Sequence, residues 1–155
     1  MSDVRPAKAS DLCALLHLLE QVNAVHRFGR PDLFKKATKY GERELLSILA
    51  DPNTPVFVFE KDGAVLGHAF CVVQNVQNDR LLCDRKTLYI DDICVDERAR
   101  NCGVGRALYE YVLRFAKELG CYNLTLNVWS CNPGALAFYE RMGLVPQKIG
   151  LERIL

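Results

Sequence analysis

Hydrophobic and polar positions along the chain switch repeatedly between helical and strand spacing. Residues 2–6 read as a short strand ending at Pro6. Ser10 then stands where a helix N-cap belongs, and Leu12, Leu15, Leu16, Leu19 and Val22 recur at helical intervals until the pattern fades near His26. Gly29, Pro31 and Gly41 make 27–41 a loop or a set of short turns. A second helix fits Glu42 to Ala50, closed by Asp51-Pro52. Val56-Phe57-Val58-Phe59-Glu60 is β-branched and aromatic, and Asp62-Gly63 predicts a hairpin into a longer strand from Val65 to about Gln77. Gln74 to Arg80 is polar, a loop or an exposed strand end. Thr87 to Val95 is the next strand, with two carboxylates in it.

The strongest helical pattern runs from Gly103 to Leu119, with Val104, Leu108, Tyr111, Val112, Phe115 and Leu119 on one face and Gly120 as its stop. Leu124 to Trp129 predicts a strand. Asn132-Pro133 supplies an N-cap and a first-turn proline for a last helix ending at Gly143, and Leu144 to Leu155 predicts one or two final strands. No repeat, low-complexity segment or linker interrupts this order. The expected architecture is a mixed α/β domain around one sheet, with residues 1–155 forming a single unit.

Composition narrows the function. Half of the residues are hydrophobic, a quarter are charged, and the formal net charge is +1, so no global field draws in nucleic acid or anionic membrane. No apolar run approaches the roughly 20 residues of a membrane span. Met1-Ser2-Asp3-Val4-Arg5 lacks an apolar stretch after a basic start, so no secretory leader is expected. Seven cysteines, an odd number without a Cys-x-x-Cys pair, argue against a disulfide framework or a paired-cysteine zinc site. Reduced thiols, a cytoplasmic location and no metal are the expectation.

Candidate chemistry concentrates after Val95. Arg100-Asn101-Cys102-Gly103-Val104-Gly105-Arg106 opens the strongest helix. A helix N-terminus offers unpaired N–H groups and a partial positive charge, glycines let a phosphate approach the backbone, and arginines add forked donors. A diphosphate fits. A nucleotide P-loop does not, because Arg106-Ala107 follows Gly105; nor does a dinucleotide fingerprint, because position 108 is Leu108.

Arg100-x-x-Gly103-x-Gly105 resembles the Gln/Arg-x-x-Gly-x-Gly/Ala signature of the GNAT superfamily of N-acetyltransferases. Leu88 to Val95 before it resembles that family's fourth strand, and Asn132 to Leu144 after it resembles its second conserved motif. The resemblance covers about the last half of the chain. It implies a mixed, mostly antiparallel sheet of six to seven strands with about four helices, its fourth and fifth strands splayed around acetyl-CoA. It also implies the contacts. Ile93, Cys94 and Val95 would lie along the pantetheine arm, with backbone groups of Ile93 and Val95 bonding it. The amides from Arg100 through Asn101, Cys102, Gly103, Val104 and Gly105 to Arg106 would hold the pyrophosphate. Asn132 would touch the arm, and Tyr139 would sit near the thioester sulfur. The expected activity is direct acetyl transfer to a primary amine of a small molecule or peptide, in a monomer or homodimer.

The chemistry needs a proton acceptor for the amine and a donor for the leaving thiolate. Asp91 or Asp92 suits the first, and strand alternation predicts that they face opposite sides of the sheet. The resemblance favours Asp91 as base and Tyr139 as acid. Each has a structural reading too: Tyr139 as core, the carboxylates as partners of Arg85 or Arg98, and Cys94, Cys102 and Cys131 as thiol filler rather than acyl carriers. Trp129 and Phe138 read as packing. His26 and the Arg27–Phe34 loop are candidates for the acceptor pocket. The rival function is a non-catalytic acyl-CoA-binding or sensing module.

Overall fold

The computed structural model describes residues 3–155; position 2 of the expected first strand and the Met1-Ser2 start lie outside them. Five strands form one sheet in the order β1 (Val4–Pro6), β2 (Val56–Lys61), β3 (Ala64–Val76), β4 (Arg85–Val95) and β5 (Asn123–Leu126). The first three junctions are antiparallel, and β4–β5 is parallel. Four helices complete the fold: α1 (Leu12–Gly29), α2 (Glu42–Ala50), α3 (Val104–Glu118) and α4 (Pro133–Arg141).

Alternation along β2 divides the core. Val56 and Val58, with Phe70, pack against Leu15, Leu19 and Leu45 of α1 and α2. Phe57 and Phe59, with Ala69, Leu88 and Ile90, pack against Leu108, Val112 and Ala116 of α3. A period-2 strand between two helical layers produces this division directly. Asp62 and Gly63, with φ of 51° and 78°, make the tight β2–β3 turn that their sequence predicts.

The elements depart from expectation in five places. The helix from Ser10 is entered through a short 3₁₀ turn at Ala9–Asp11, where Asp11 reaches back to accept from the Lys8 amide at 2.8 Å; Asp11 rather than Ser10 stands at the N-cap of α1, with no side-chain bond into the helix. α1 continues through Gly29, beyond the apolar periodicity. β5 stops at Leu126 instead of Trp129. Residues 144–155 form no strand, so the sheet has five strands and not six to seven. Beyond Leu144, which packs on the core, their apolar side chains remain exposed because no neighbouring strand meets them among the described residues.

The fifth departure bears on chemistry. Phe70 pairs with Asp92 while Cys71 pairs with Ile90, leaving Asp91 as the extra residue of a β-bulge. A bulge breaks side-chain alternation. Asp91 and Asp92 therefore both turn toward α1 and α2 rather than to opposite sides: Tyr40, stacked on Phe70, bonds Asp91, and His68, also on Phe70, bonds Asp92.

Candidate active site

The β4–β5 pairing ends at Ile90 opposite Leu126, so Asp91–Val95 run on without a neighbour on that side. This is the splay that the family resemblance implies. The Asp96 amide donates to the Leu66 carbonyl at 2.8 Å, which makes Asp96, Cys94 and Asp92 the residues that bond β3. Ile93 and Val95, one step out of phase, turn their N–H and C=O groups into the gap. Cys94 does not: its backbone serves β3 and its buried thiol points to the Leu18 carbonyl of α1 at 3.5 Å. Burial pushes that thiol up to about 12, which keeps it protonated and unsuited to carry an acyl group.

Beyond Val95 the chain enters the loop that the sequence singled out. Asp96, 1% exposed, accepts from the Arg98 amide at 2.9 Å and from its guanidinium at 3.1 Å. Asn101 and Gly103 both take positive φ, 61° and 82°. Such left-handed steps among ordinary ones turn successive amides toward one side, the geometry of an anion-binding nest. Gly103 is also the N-cap of α3, and no side chain caps it. Arg100 to Gly103 and Arg106 are exposed, while Val104 is buried in the core and anchors the turn. A pyrophosphate thus fits the donor set actually present.

The anchoring has a specific cause in β3. A Cβ built on Gly67 would lie 2.9 Å from the Cys94 carbonyl oxygen and 3.0 Å from Val104 and Leu108 side chains. Only glycine lets the first turns of α3 rest directly on the sheet, and this contact sets the loop at the end of the gap.

The Asp96–Arg98 hydrogen bond lowers the Asp96 carboxyl to about 2, against the opposing effect of burial. A depressed folded-state value stabilises the fold above the ordinary value of 3.8, and that contribution is lost as pH falls through about 2. Asp96→Asn is expected to cost about 1–3 kcal/mol at neutral pH. It should also flatten the acid limb of the stability curve, measured by denaturant titration at several pH values.

At the inner end of the gap, several groups converge. Asp91 accepts from the Lys39 ammonium at 2.9 Å and from the Tyr40 hydroxyl. His68, fully buried, bonds Asp92 through Nε2 at 2.5 Å, and its Nδ1 has no partner among the described residues. Tyr139 on α4 is 9% exposed, and its hydroxyl makes no hydrogen bond to any described residue. Burial, then the charge of Asp92, raises its pKa and keeps it protonated at neutral pH. α4 is fixed by Asn132, whose side-chain oxygen caps it at the Ala135 amide. Phe138 packs into the α3-side core and onto Gly105.

His26 closes this region. Burial lowers its pKa; Asp92 opposes that shift and Lys39 adds to it, so His26 lies within the field of both. Phe34 bridges His26 and Trp129, with ring centroids 5.1 Å from each. Phe34 thus ties the end of α1 to the segment after β5, while Arg27 to Gly29 belong to α1 rather than to the expected loop. Lys39, Tyr40 and His68 join these groups without any signal in the sequence. Lys39 and Tyr40 sit in a segment without periodicity, and His68 is isolated until strand pairing brings it opposite Cys94 and diagonal to Asp92.

Comparison with known proteins agrees with this geometry. The acetyltransferase (GNAT) family model matches residues 22–144. Probable glucosamine 6-phosphate N-acetyltransferase 2 of Oryza sativa subsp. japonica is 33% identical over 116 residues, which is 75% of this chain and 63% of that protein's length. Glucosamine 6-phosphate N-acetyltransferase 1 of the same plant is 26% identical over 147 residues, 94% of this chain and 82% of its own. A tetramutant of the BH1408 protein of Bacillus halodurans has the same fold, with TM-score 0.94 and 26% identity over 98% of this chain and 99% of that one. The matched segment spans the loop, the gap and the helix that carries Tyr139, and the chain belongs to the GNAT acetyltransferase family.

Proposed function

We propose that the protein is an acetyl-CoA-dependent N-acetyltransferase acting on a primary amine. One observation carries the reading: a single unpaired strand edge, Ile93 to Val95, joins an anion nest at one end to two carboxylates at the other, and the buried Tyr139 lies within the field of Asp92. Acetyl-CoA, when bound, supplies an acetyl group on a thioester.

The residues divide the work. Amides from Arg100 to Arg106 bind the pyrophosphate, and Arg100 and Arg106 add charge. The Ile93 and Val95 backbone holds the pantetheine arm in the manner of an added strand, and Asn132 meets it from the start of α4. An ammonium acceptor takes the position that Lys39 occupies at Asp91, and Asp91 accepts its proton directly or through water. An amide near Ile93 polarises the carbonyl. Tyr139 donates its proton to the departing sulfur and regains one from solvent. His68 orients Asp92 from below.

Asp91→Asn tests the base. It should lower kcat/KM by about 10²-fold or more, with the deficit largest at low pH, where the acceptor is protonated. A profile parallel to that of the parent protein would argue against Asp91. Names of the rice relatives make an amino-sugar phosphate the first acceptor to try. An open depression of about 520 Å³ between α1 and the segment after it, lined by Arg27 and Lys36 with Glu20 among them, offers two cationic groups for such a phosphate against one carboxylate.

Binding alone separates this reading from a domain without a coenzyme. CoA at about 100 times its dissociation constant should add roughly 2.7 kcal/mol of stability, visible as a raised Tm. An unchanged Tm at millimolar CoA would remove both the enzyme and the acyl-CoA-sensing readings.

A further inference from the structure

Lys39 differs from the other lysines of the chain. Among the described residues it alone of the lysines is ion-paired with a carboxylate, and that carboxylate is Asp91, at 2.9 Å. Its Nζ also reaches the Asp91 backbone carbonyl at 3.5 Å, two residues from Ile93 along β4. The segment that delivers it, between α1 and α2, is neither helix nor strand, yet it is fastened on both sides of Lys39. The Ala37 amide donates to Asn23 Oδ1 of α1 at 3.2 Å, and the Thr38 hydroxyl donates to the Tyr40 carbonyl at 3.0 Å. Tyr40 stacks on Phe70 of β3, with ring centroids 5.7 Å apart.

A fastened backbone under a flexible four-carbon stem aims one primary amine at the site while its end stays free to swing. The Lys39 side chain is 44% exposed and Asp91 17%, so the ammonium meets the carboxylate from its open side. The Tyr40 hydroxyl donates to the other oxygen of Asp91 and fixes the carboxylate in place. An ion pair this exposed adds little to stability. What it does is hold a primary amine at the group that takes an acceptor's proton, where an external amine must also go. Attachment to the chain gives that amine an effective concentration far above that of a free one.

We propose that Lys39 is itself an acetylation site: with acetyl-CoA bound and no acceptor present, the acetyl group passes to Lys39 Nζ of the same chain. The inference rests on the transferase reading of this site. The Nζ lone pair attacks the thioester carbonyl carbon, the N–C bond forms, and the C–S bond breaks with its electron pair on sulfur. The ammonium sheds two protons. Asp91 takes one and passes it to solvent; Tyr139 gives the CoA sulfur its proton and recovers the other. The products are free CoA and an uncharged amide, which is no longer a nucleophile, so the reaction stops at one acetyl group per chain. Loss of the charge also ends the ion pair with Asp91. Lys39 and an external amine compete for the same carboxylate, so the modification marks protein that has met acetyl-CoA without an acceptor.

The test incubates the full chain with acetyl-CoA alone and follows acetylation by intact mass and peptide mapping. Lys39 should gain one acetyl group at a rate per molecule that does not change on dilution, well ahead of the exposed Lys61 and Lys148. Asp91→Asn and Tyr139→Phe, each checked for folding by circular dichroism, should slow Lys39 by about 10²-fold and leave Lys61 and Lys148 at their spontaneous rate. Lys39→Arg should remove the fast label. An amine that the protein acetylates should protect Lys39 when added. Lys39 left unlabelled in protein that acetylates an added amine would overturn the inference and leave the transferase reading standing. Labelling no faster than at Lys61 and Lys148, unaffected by both site variants, or slowed by dilution would overturn it as well. Protein that acetylates neither Lys39 nor any amine would overturn both.

Discussion

Replacing Tyr139 by Phe should reduce kcat by about 10²–10⁴-fold, the range for removal of a positioned general acid. The fold should tolerate the change. The ring remains to fill its buried place next to Phe138, and the lost hydroxyl has no hydrogen-bond partner among the described residues. The dissociation constant for acetyl-CoA should change little, because the proposed holds on it, the Ile93 and Val95 backbone for the arm and the 100–106 loop for the pyrophosphate, do not involve the tyrosine hydroxyl. Burial and the nearby Asp92 charge raise the hydroxyl's pKa, so it keeps its proton through neutral pH and serves as donor there. The effect should therefore be equally large across neutral pH. Steady-state kinetics with a calorimetric binding titration checks this: full turnover in Tyr139→Phe would make the tyrosine a packing residue.

Gly67→Val should give the largest structural effect. The added carbon atoms meet the Cys94 carbonyl and the first turns of α3, none of which is the loose end of a flexible chain. Overpacking of this kind costs about 1–3 kcal/mol. For a domain of this size that is a fall in Tm of roughly 2–12 °C. CoA affinity should fall further than stability alone explains, since α3 must lift from the sheet and take the nest at Gly103 with it. Thermal unfolding with and without CoA measures both. A variant with the parent's Tm and CoA response would show that α3 tolerates displacement.

Much of the fold was legible because its signals are local. Asp62-Gly63, Gly120, Asn132-Pro133 and Gly143 each mark a turn or cap through their own backbone preferences, and the structure places all four there. The loop from Arg100 to Gly105 was legible for the same reason. Features decided by pairing were not. Alternation assigned Asp91 and Asp92 to opposite faces, and a bulge opposite Phe70 and Cys71 brought them together. Nothing within Ile90-Asp91-Asp92-Ile93 announces a bulge, which belongs to two strands at once. Lys39, Tyr40 and His68 became part of the site only through contacts with residues far away in sequence. The one or two strands expected over 144–155 do not form: a strand requires an edge to pair with, and these residues meet none among the described residues. Short β5 has the opposite cause: Asn127 to Trp129 leave β4 where the gap opens, and Asn127 instead bonds the Tyr89 hydroxyl at 3.2 Å.

Acetyl transfer to an amine is read out by release of free CoA thiol from acetyl-CoA, followed across a panel of primary amines that includes amino-sugar phosphates. Thiol release should depend on one class of amine, saturate with it and disappear in the Tyr139→Phe and Asp91→Asn variants. Release that no amine accelerates, in protein shown to bind CoA, would contradict it and leave a binding module in its place.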